Sequence, residues 1–268
     1  MQQQLFIEYK DYSKQKVMIG LSGGINSMAV LCWLKTYPPQ YLPKELHIFY
    51  AHFEEHSPDT MDFVLDGINY AKQHFNNVQS QITHNSVLDF FETQKMIPHP
   101  MVAPCTRMLK IEPMMRYMVE NRIIVDLVGY VRNERRRILN MAEKSDSELF
   151  ENVVNIQGIE KHFPISDQTN EWCFEIVKRE IGWYPKIYDI KDRKGKRLFH
   201  HNNCLPCKNM NPKDLKLVKK FYPELFEKAL ALSERLKSYW GRNETDFYTD
   251  FGREQVKDGQ TCSVCSFD

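Results

Sequence analysis

Residues able to bind an anion are grouped early in the chain, in Lys16-Val-Met-Ile-Gly-Leu-Ser-Gly-Gly-Ile-Asn-Ser-Met-Ala-Val-Leu31. Val17 to Leu21 reads as a short buried strand, the glycine pair as a tight turn, and the chain from about Asn26 as a helix. The first N–H groups of a helix lack intrahelical partners, the aligned peptide dipoles add partial positive charge there, and glycine admits a ligand to the backbone. Ser22 and Ser27 add hydroxyl donors, so Ser22, Gly23, Gly24, Asn26 and Ser27 are the candidate phosphate-binding residues. No Gly-Lys-Ser/Thr follows, which separates this turn from the lysine-bearing loop of the common NTPases.

Two further groups have chemical potential. Cys204-Leu-Pro-Cys207 and Cys262-Ser-Val-Cys265 are chelating pairs, and together Cys204, Cys207, Cys262 and Cys265 could complete a four-thiolate site. Zinc, an iron–sulfur cluster and unliganded thiols are the alternatives; Cys32 and Cys173 read as structural. The second group is basic. Arg107, Lys110, Arg132, Arg135, Arg136 and Arg137 suit phosphate or sulfate oxygens, although three adjacent arginines cannot all face one site. Lys191-Asp-Arg-Lys-Gly-Lys-Arg197, followed by His200-His201, suits either a nucleic-acid backbone or a solvated loop.

The elements that must position these residues alternate. Apolar runs of strand length occur at Val17–Leu21, Glu45–Ala51, Val78–Ile82 and Arg122–Val128, with Val153–Ile156 as the last. Between them, helical patterns cover Thr60–Phe75, Val87–Thr93, Met108–Val119 and Arg132–Ala142. Such alternation predicts an α/β fold, a parallel sheet with helices on both faces, and ligands bind beyond the carboxyl ends of its strands. The glycine turn, His52-Phe-Glu-Glu-His56 and Gly129-Tyr-Val-Arg132 all follow strands. The character changes at Ser166, so the expected organisation is a nucleotide-binding domain over 1–165 and a smaller, mainly helical cysteine-containing region over 166–268.

Composition bounds the answer. The chain has 268 residues, 42% hydrophobic and 26% charged, which is ordinary globular material for one large domain with an appendage. A net charge of +1 gives no global electrostatic case for nucleic acid or an anionic membrane. No apolar run approaches a bilayer span, and Met-Gln-Gln-Gln-Leu-Phe lacks the basic flank and apolar run of a signal peptide. With seven cysteines, the expectation is a reducing, cytoplasmic setting and no membrane partner.

Ser22-Gly-Gly-Ile-Asn-Ser27 resembles the SGGxDS loop of the adenine nucleotide α-hydrolases, the ATP-pyrophosphatase type of phosphate loop. Glu55-His-Ser-Pro-Asp-Thr60, Cys105-Thr-Arg-Met-Leu-Lys110, Gly129 to Arg137, Phe163 to Glu171, Gly182 with Pro185 to Tyr188, and Cys204-Leu-Pro-Cys207 follow in the order of one branch. That branch is the phosphoadenosine-phosphosulfate (PAPS) reductase-like proteins, which include DNA phosphorothioation sulfurtransferases. The resemblance implies a Rossmann-like nucleotide fold, Asn26, Cys105, Lys110 and Arg132 as catalytic positions, and Arg136 among the nucleotide contacts. It further implies ATP or a sulfonucleotide with Mg, and, as the competitor to zinc, a 4Fe-4S cluster on Cys105, Cys204 and Cys207 with Cys262 or Cys265 as the fourth thiolate.

Two departures bear on the reaction. Asn26 stands where that loop has aspartate, and His52 where the second strand often ends in aspartate. Asparagine brings no charge to a metal between phosphates, so Mg-dependent cleavage is expected to be weakened or to use Glu54 or Glu55. The chain also lacks the Ser-Phe-Gly loop and carboxy-terminal Glu-Cys-Gly-Leu of dedicated sulfonucleotide reductases. ATP-driven sulfur transfer to an unidentified acceptor therefore ranks first, with nucleic acid a candidate acceptor. PAPS or adenylylsulfate reduction comes second, and a catalytically weak nucleotide- or nucleic-acid-binding component of a larger assembly of partner proteins third.

Overall fold

The computed structural model describes residues 9–96, 104–147, 149, 152–207 and 210–240. Six strands form one sheet in the order β3-β2-β1-β4-β6-β5, built from β1 (Lys16–Leu21), β2 (Glu45–Phe53), β3 (Val78–Asn85), β4 (Val125–Leu127), β5 (Val153–Ile156) and β6 (Ile159–His162). β1 pairs in parallel with β2 and β4, and β4 with β6. β3 runs with β2, since Leu46 N–H reaches Asn77 O at one end (3.2 Å) and Glu54 N–H reaches Asn85 O at the other (3.1 Å). Successive residues Val17, Met18 and Ile19 are each 0% exposed, so both faces of the central strand are covered. The fold is therefore the expected α/β sheet. β3, outermost and rich in Gln, Ser and Thr, keeps polar side chains on its edge.

The helices are α1 (Ile25–Leu34), α2 (Thr60–His74), α3 (Val87–Gln94), α4 (Pro104–Thr106), α5 (Glu112–Asn121), α6 (Arg135–Lys144), α7 (Asn170–Glu180), α8 (Pro212–Phe221) and α9 (Pro223–Trp240). α1 is apolar almost all round and buried almost all round, as a helix without a polar face must be. Among the described residues no helix is long and apolar enough to cross a membrane.

Two expectations are corrected. The strand over Arg122–Val128 shrinks to Val125–Leu127, because Arg122 (φ 55°) takes the left-handed position that closes α5. There Arg122 N–H bonds Val119 O and Ile123 N–H bonds Met118 O. Nor is Val153–Ile156 the last strand. Gln157 (φ 52°) and Gly158 (φ 85°) make the two-residue turn of a hairpin, and Ile159–His162 returns antiparallel beside it.

Contacts group the described residues into two units, one within 9–50, 64–81 and 117–183, the other within 51–63, 82–116 and 184–240. The phosphate-type turn belongs to the first, and the described thiols other than Cys32 and Cys173 to the second.

Candidate functional site

In the first unit the turn between β1 and α1 has the local features of an anion cradle. Gly23 takes φ 76°, a conformation that side chains resist, and Gly24 starts α1 with extended backbone and no side-chain cap. Ser27 Oγ accepts from Ser22 N–H (3.0 Å) and donates to Gly24 O (3.2 Å), while Ser22 Oγ lies 3.1 Å from it and accepts from Gly24 N–H (3.3 Å). The hydroxyls thus shape the turn; Ser27 is buried and Ser22 exposed.

β1 and β4 are neighbours whose sequence-adjacent strands lie on opposite sides, so their carboxyl ends border the switch point where such sheets bind ligands. The connection after β4 touches the turn itself. A Cβ at Gly129 would sit 2.7 Å from Asn26 O and 2.9 Å from Ser27 N, so glycine is required for backbone to meet backbone here.

Asn26 Nδ2 donates to Glu134 Oε2 at 3.3 Å, and Asn26 Oδ1 is buried without a hydrogen-bond partner. Glu134, its side chain 13% exposed, also accepts from Val131 N–H (3.3 Å) and from Arg137 Nη1 (2.6 Å). Burial holds its carboxyl above the ordinary range, opposed by Arg137, the Val131 amide and Asn26. Glu134, the acid of the Gly129–Arg137 run, thus meets the residue that lacks a charge, a pairing that no spacing in the sequence indicates.

Arg132 is exposed, and its guanidinium donates twice to Asp167 O, from Nε at 3.0 Å and from Nη2 at 2.6 Å. Its backbone N–H bonds Gln168 O at 2.9 Å, so Arg132 holds the loop after Phe163 to this edge. Arg135 and Arg136 are exposed on α6.

The second unit gathers thiols. Cys105, Cys204 and Cys207 pack on one apolar cluster with Phe53, Val87, Phe91, Leu232 and Leu236. Cys105 lies in α4 and Lys110 in the π-helical turn Arg107–Ile111 that joins α4 to α5; such turns widen a helix and recur at functional sites. Lys110 Nζ stands 4.9 Å over the Phe53 ring. His52 lies 5.4 Å from His84 and 6.3 Å from His56, ring centre to ring centre. Burial first, then neighbouring positive groups, lowers the pKa of His52 and lowers that of fully buried His56 well below normal.

Glu55, expected as a substitute metal ligand, is otherwise engaged. Its carboxylate, 3% exposed, accepts from Ser86 Oγ (2.7 Å), Val87 N–H (3.0 Å) and Leu88 N–H (3.1 Å) at the start of α3. Its carbonyl accepts from Leu205 N–H (2.7 Å), and Thr60 Oγ1 accepts from Asn202 Nδ2 (2.8 Å). The Glu55–Thr60 element therefore anchors the Cys204–Cys207 loop. Cys262 and Cys265 lie outside the described residues. Cys32 and Cys173 are buried in the first unit, where burial pushes both thiols up to about 12, consistent with core positions.

Among the described residues no three His, Cys, Asp or Glu side chains are placed to hold one ion. Cys105, Cys204 and Cys207 nevertheless share one cluster, and an iron–sulfur cluster spreads its thiolates over several irons rather than one tetrahedral centre.

No protein-family model matches the chain, and no curated protein matches it. Solved structures do. A U34-tRNA thiolase, NcsA, from Methanococcus maripaludis with its [4Fe-4S] cluster is 14% identical, with a TM-score of 0.46, over 96% of this chain and 82% of its own. PAPS reductase from Candida auris is 14% identical at a TM-score of 0.41, over 65% of this chain and 77% of that one. NMN synthetase from Francisella tularensis is 13% identical at 0.44, over 87% and 88%.

Proposed function

We propose that this chain is a PAPS reductase-like enzyme that activates an acceptor with ATP and transfers sulfur to it. The observation that carries the reading is the Ser22–Ser27 turn at the switch point of a parallel sheet, with Gly129 backbone pressed against it. In this reading the loop and the start of α1 hold the phosphates, with Arg132 and Arg136 beside that edge. An acceptor oxygen attacks the α-phosphorus and pyrophosphate leaves. Lys110 orients the sulfide-level nucleophile that then displaces AMP, and Cys105 takes part in that step only where it does not hold a cluster. Asn26 Oδ1 and Glu134 would hold a divalent ion at this edge, and the ion would supply charge neutralisation for the phosphates. Cys105, Cys204 and Cys207 are the residues that would hold a cluster, which supplies Lewis-acidic iron for a sulfur donor.

One observation favours a second reading. Asn26 is neutral and its amide is already bonded to Glu134, which suits a chain that binds nucleotide and turns it over poorly. Pyrophosphate release from ATP, with and without DNA or RNA, separates the two: sulfur transfer requires release stimulated by the acceptor. Binding of ATP with no release supports the second. Thioredoxin-dependent sulfite release from PAPS would overturn both in favour of a reductase.

A further inference from the structure

The run Lys191–Arg197 is not a formless solvated loop. Lys191 and Arg197 pair across an antiparallel bridge, with Leu198 N–H on Ile190 O (2.9 Å) below it and Asp192 N–H on Lys196 O (2.9 Å) above. Gly195, at φ 78°, closes the turn through its N–H to Asp192 O (3.0 Å). Asp192 is the only acid in the run, and its Oδ1 accepts from Lys194 N–H (2.8 Å) and Lys196 N–H (2.9 Å). The turn thus engages its own carboxylate and leaves four of its five cations exposed, while the Arg197 guanidinium stands 5.9 Å over the Tyr184 ring. Lys191, Arg193, Lys194 and Lys196 are exposed, five cations stand in seven residues, and the whole chain carries only +1.

The base of this hairpin packs on α8. Phe199, 4% exposed, has ring contacts with Phe221 (6.3 Å) and Tyr222 (6.0 Å). α8 repeats the same design. Lys213, Lys216, Lys219 and Lys220 are exposed, and the helix's single acid, Asp214, is tied into the Asn211 cap by bonds of 2.9 and 3.0 Å. Lys213, Lys216 and Lys220 share one face at helical spacing. Phe221, 36% exposed with Lys220 Nζ 5.0 Å from its ring centre, leaves an aromatic surface beside them.

We propose that the hairpin of residues 190–198 and the lysine face of α8 form a docking surface for the sugar–phosphate backbone of a nucleic acid. A regular polyanion fits an ordered ribbon and a helix face that both present cations and engage their acids internally. An anionic membrane would call for an apolar face to insert, and the hairpin tip has none. A protein interface would call for a core depleted in lysine. As the acceptor's site the surface rests on the sulfur-transfer reading. As a binding surface it stands on charges outside the phosphate turn.

The test is fluorescence anisotropy of the full chain, without ATP, on a labelled DNA duplex of about 20 base pairs and a stem–loop RNA of equal phosphate number, at about 50 to 200 mM salt. The expected result is salt-dependent binding to at least one of them. Replacing Arg193, Lys194 and Lys196 by Gln weakens that binding about tenfold or more and flattens the log–log salt slope by about 2–3. Lys72, Lys144 and Lys178, exposed on the first unit, replaced together by Gln remove the same charge and leave affinity unchanged. Arg193→Lys retains binding, which separates charge from folding. No binding, an equal loss in both triple variants, or displacement by an acidic polypeptide at matched charge overturns the proposal. Binding that persists while ATP yields no pyrophosphate overturns the sulfur-transfer reading and leaves the surface standing.

Discussion

A methyl group at Gly129 would lie 2.7 Å from Asn26 O and 2.9 Å from Ser27 N, and neither backbone atom can turn aside as a side chain would. Gly129→Ala must therefore displace the start of α1 or the connection after β4, and overpacking of this kind costs about 1–3 kcal/mol. The expected outcome is a lower Tm together with an ATP affinity reduced about tenfold, equivalent to about 1.4 kcal/mol, by calorimetry. Gly158→Ala is the comparison: nothing lies within 4 Å there, so only its φ of +85° is penalised and ATP affinity holds. Glu134 governs how this turn responds to pH. Burial raises its carboxyl above the ordinary range despite Arg137. A carboxyl raised in the folded state contributes its full stability below its unfolded pKa and loses it as pH rises through the folded value. Urea unfolding from about pH 4 to 7 should therefore show a decline with rising pH that Glu134→Gln flattens. Asn26→Asp acts in the opposite sense. It replaces an amide that donates to Glu134 at 3.3 Å with a second carboxylate, which steepens the decline. If these oxygens face a divalent ion, Mg²⁺ raises the Tm of that variant more than that of the native chain; an equal Mg²⁺ effect would sink the assignment.

Whole elements depend on carboxylates that an apolar pattern does not reveal. α3 starts on Glu55, which takes two backbone N–H groups and the Ser86 hydroxyl at the positive end of the helix. Glu55→Ala leaves those donors buried and should cost about 2–4 kcal/mol, with hydrogen exchange accelerated first in Val87–Gln94. Asp126 and Lys161 face each other in register on β4 and β6 at 2.7 Å, 3% and 5% exposed. Asp126→Ala strands a buried ammonium and should cost about 3–5 kcal/mol, whereas Asp126→Leu with Lys161→Met should recover most of it. The same pair explains why β6 was not legible. Its sequence, Ile-Glu-Lys-His, has no apolar period, because Lys161 is satisfied by Asp126 and His162 Nδ1 by the Tyr12 hydroxyl at 3.0 Å. Only Gln157-Gly158 marked the turn. β1 and α1 were legible because their residues are apolar throughout and the structure buries them throughout. The Arg122 end of α5 was not, since a left-handed arginine carries no signal in composition.

At the scale of the whole molecule, the parallel α/β class and the strand–turn–helix around Ser22–Ser27 followed from the sequence pattern, while the strand order and the partners of the site residues did not. Asn26 could be read as a missing charge, but that Glu134 stands beside it depends on how the connection after β4 folds back. The resemblance already set Cys105 beside Cys204 and Cys207; what it did not show is that Phe53, Val87 and Leu232 bring these distant segments to one apolar cluster. This grouping separates two metal chemistries. A zinc ion would draw four sulfurs to one centre, completed by Cys262 and Cys265, which lie outside the described residues. An iron–sulfur cluster takes thiolates placed around a larger body, and in the proposed cluster reading Cys105, Cys204 and Cys207, which share one apolar cluster, supply three of them with Cys262 or Cys265 as the fourth. The full chain purified without oxygen should therefore be brown, with iron and acid-labile sulfide and little zinc. Cys204→Ser should lose the colour. The same substitution should leave ATP affinity within about twofold of native, since the hydrogen bonds that shape the Ser22–Ser27 turn involve none of these thiols. A colourless protein holding one zinc that Cys262→Ser releases would replace the cluster with a structural four-thiolate site, and Cys105 would then be free to act on sulfur directly.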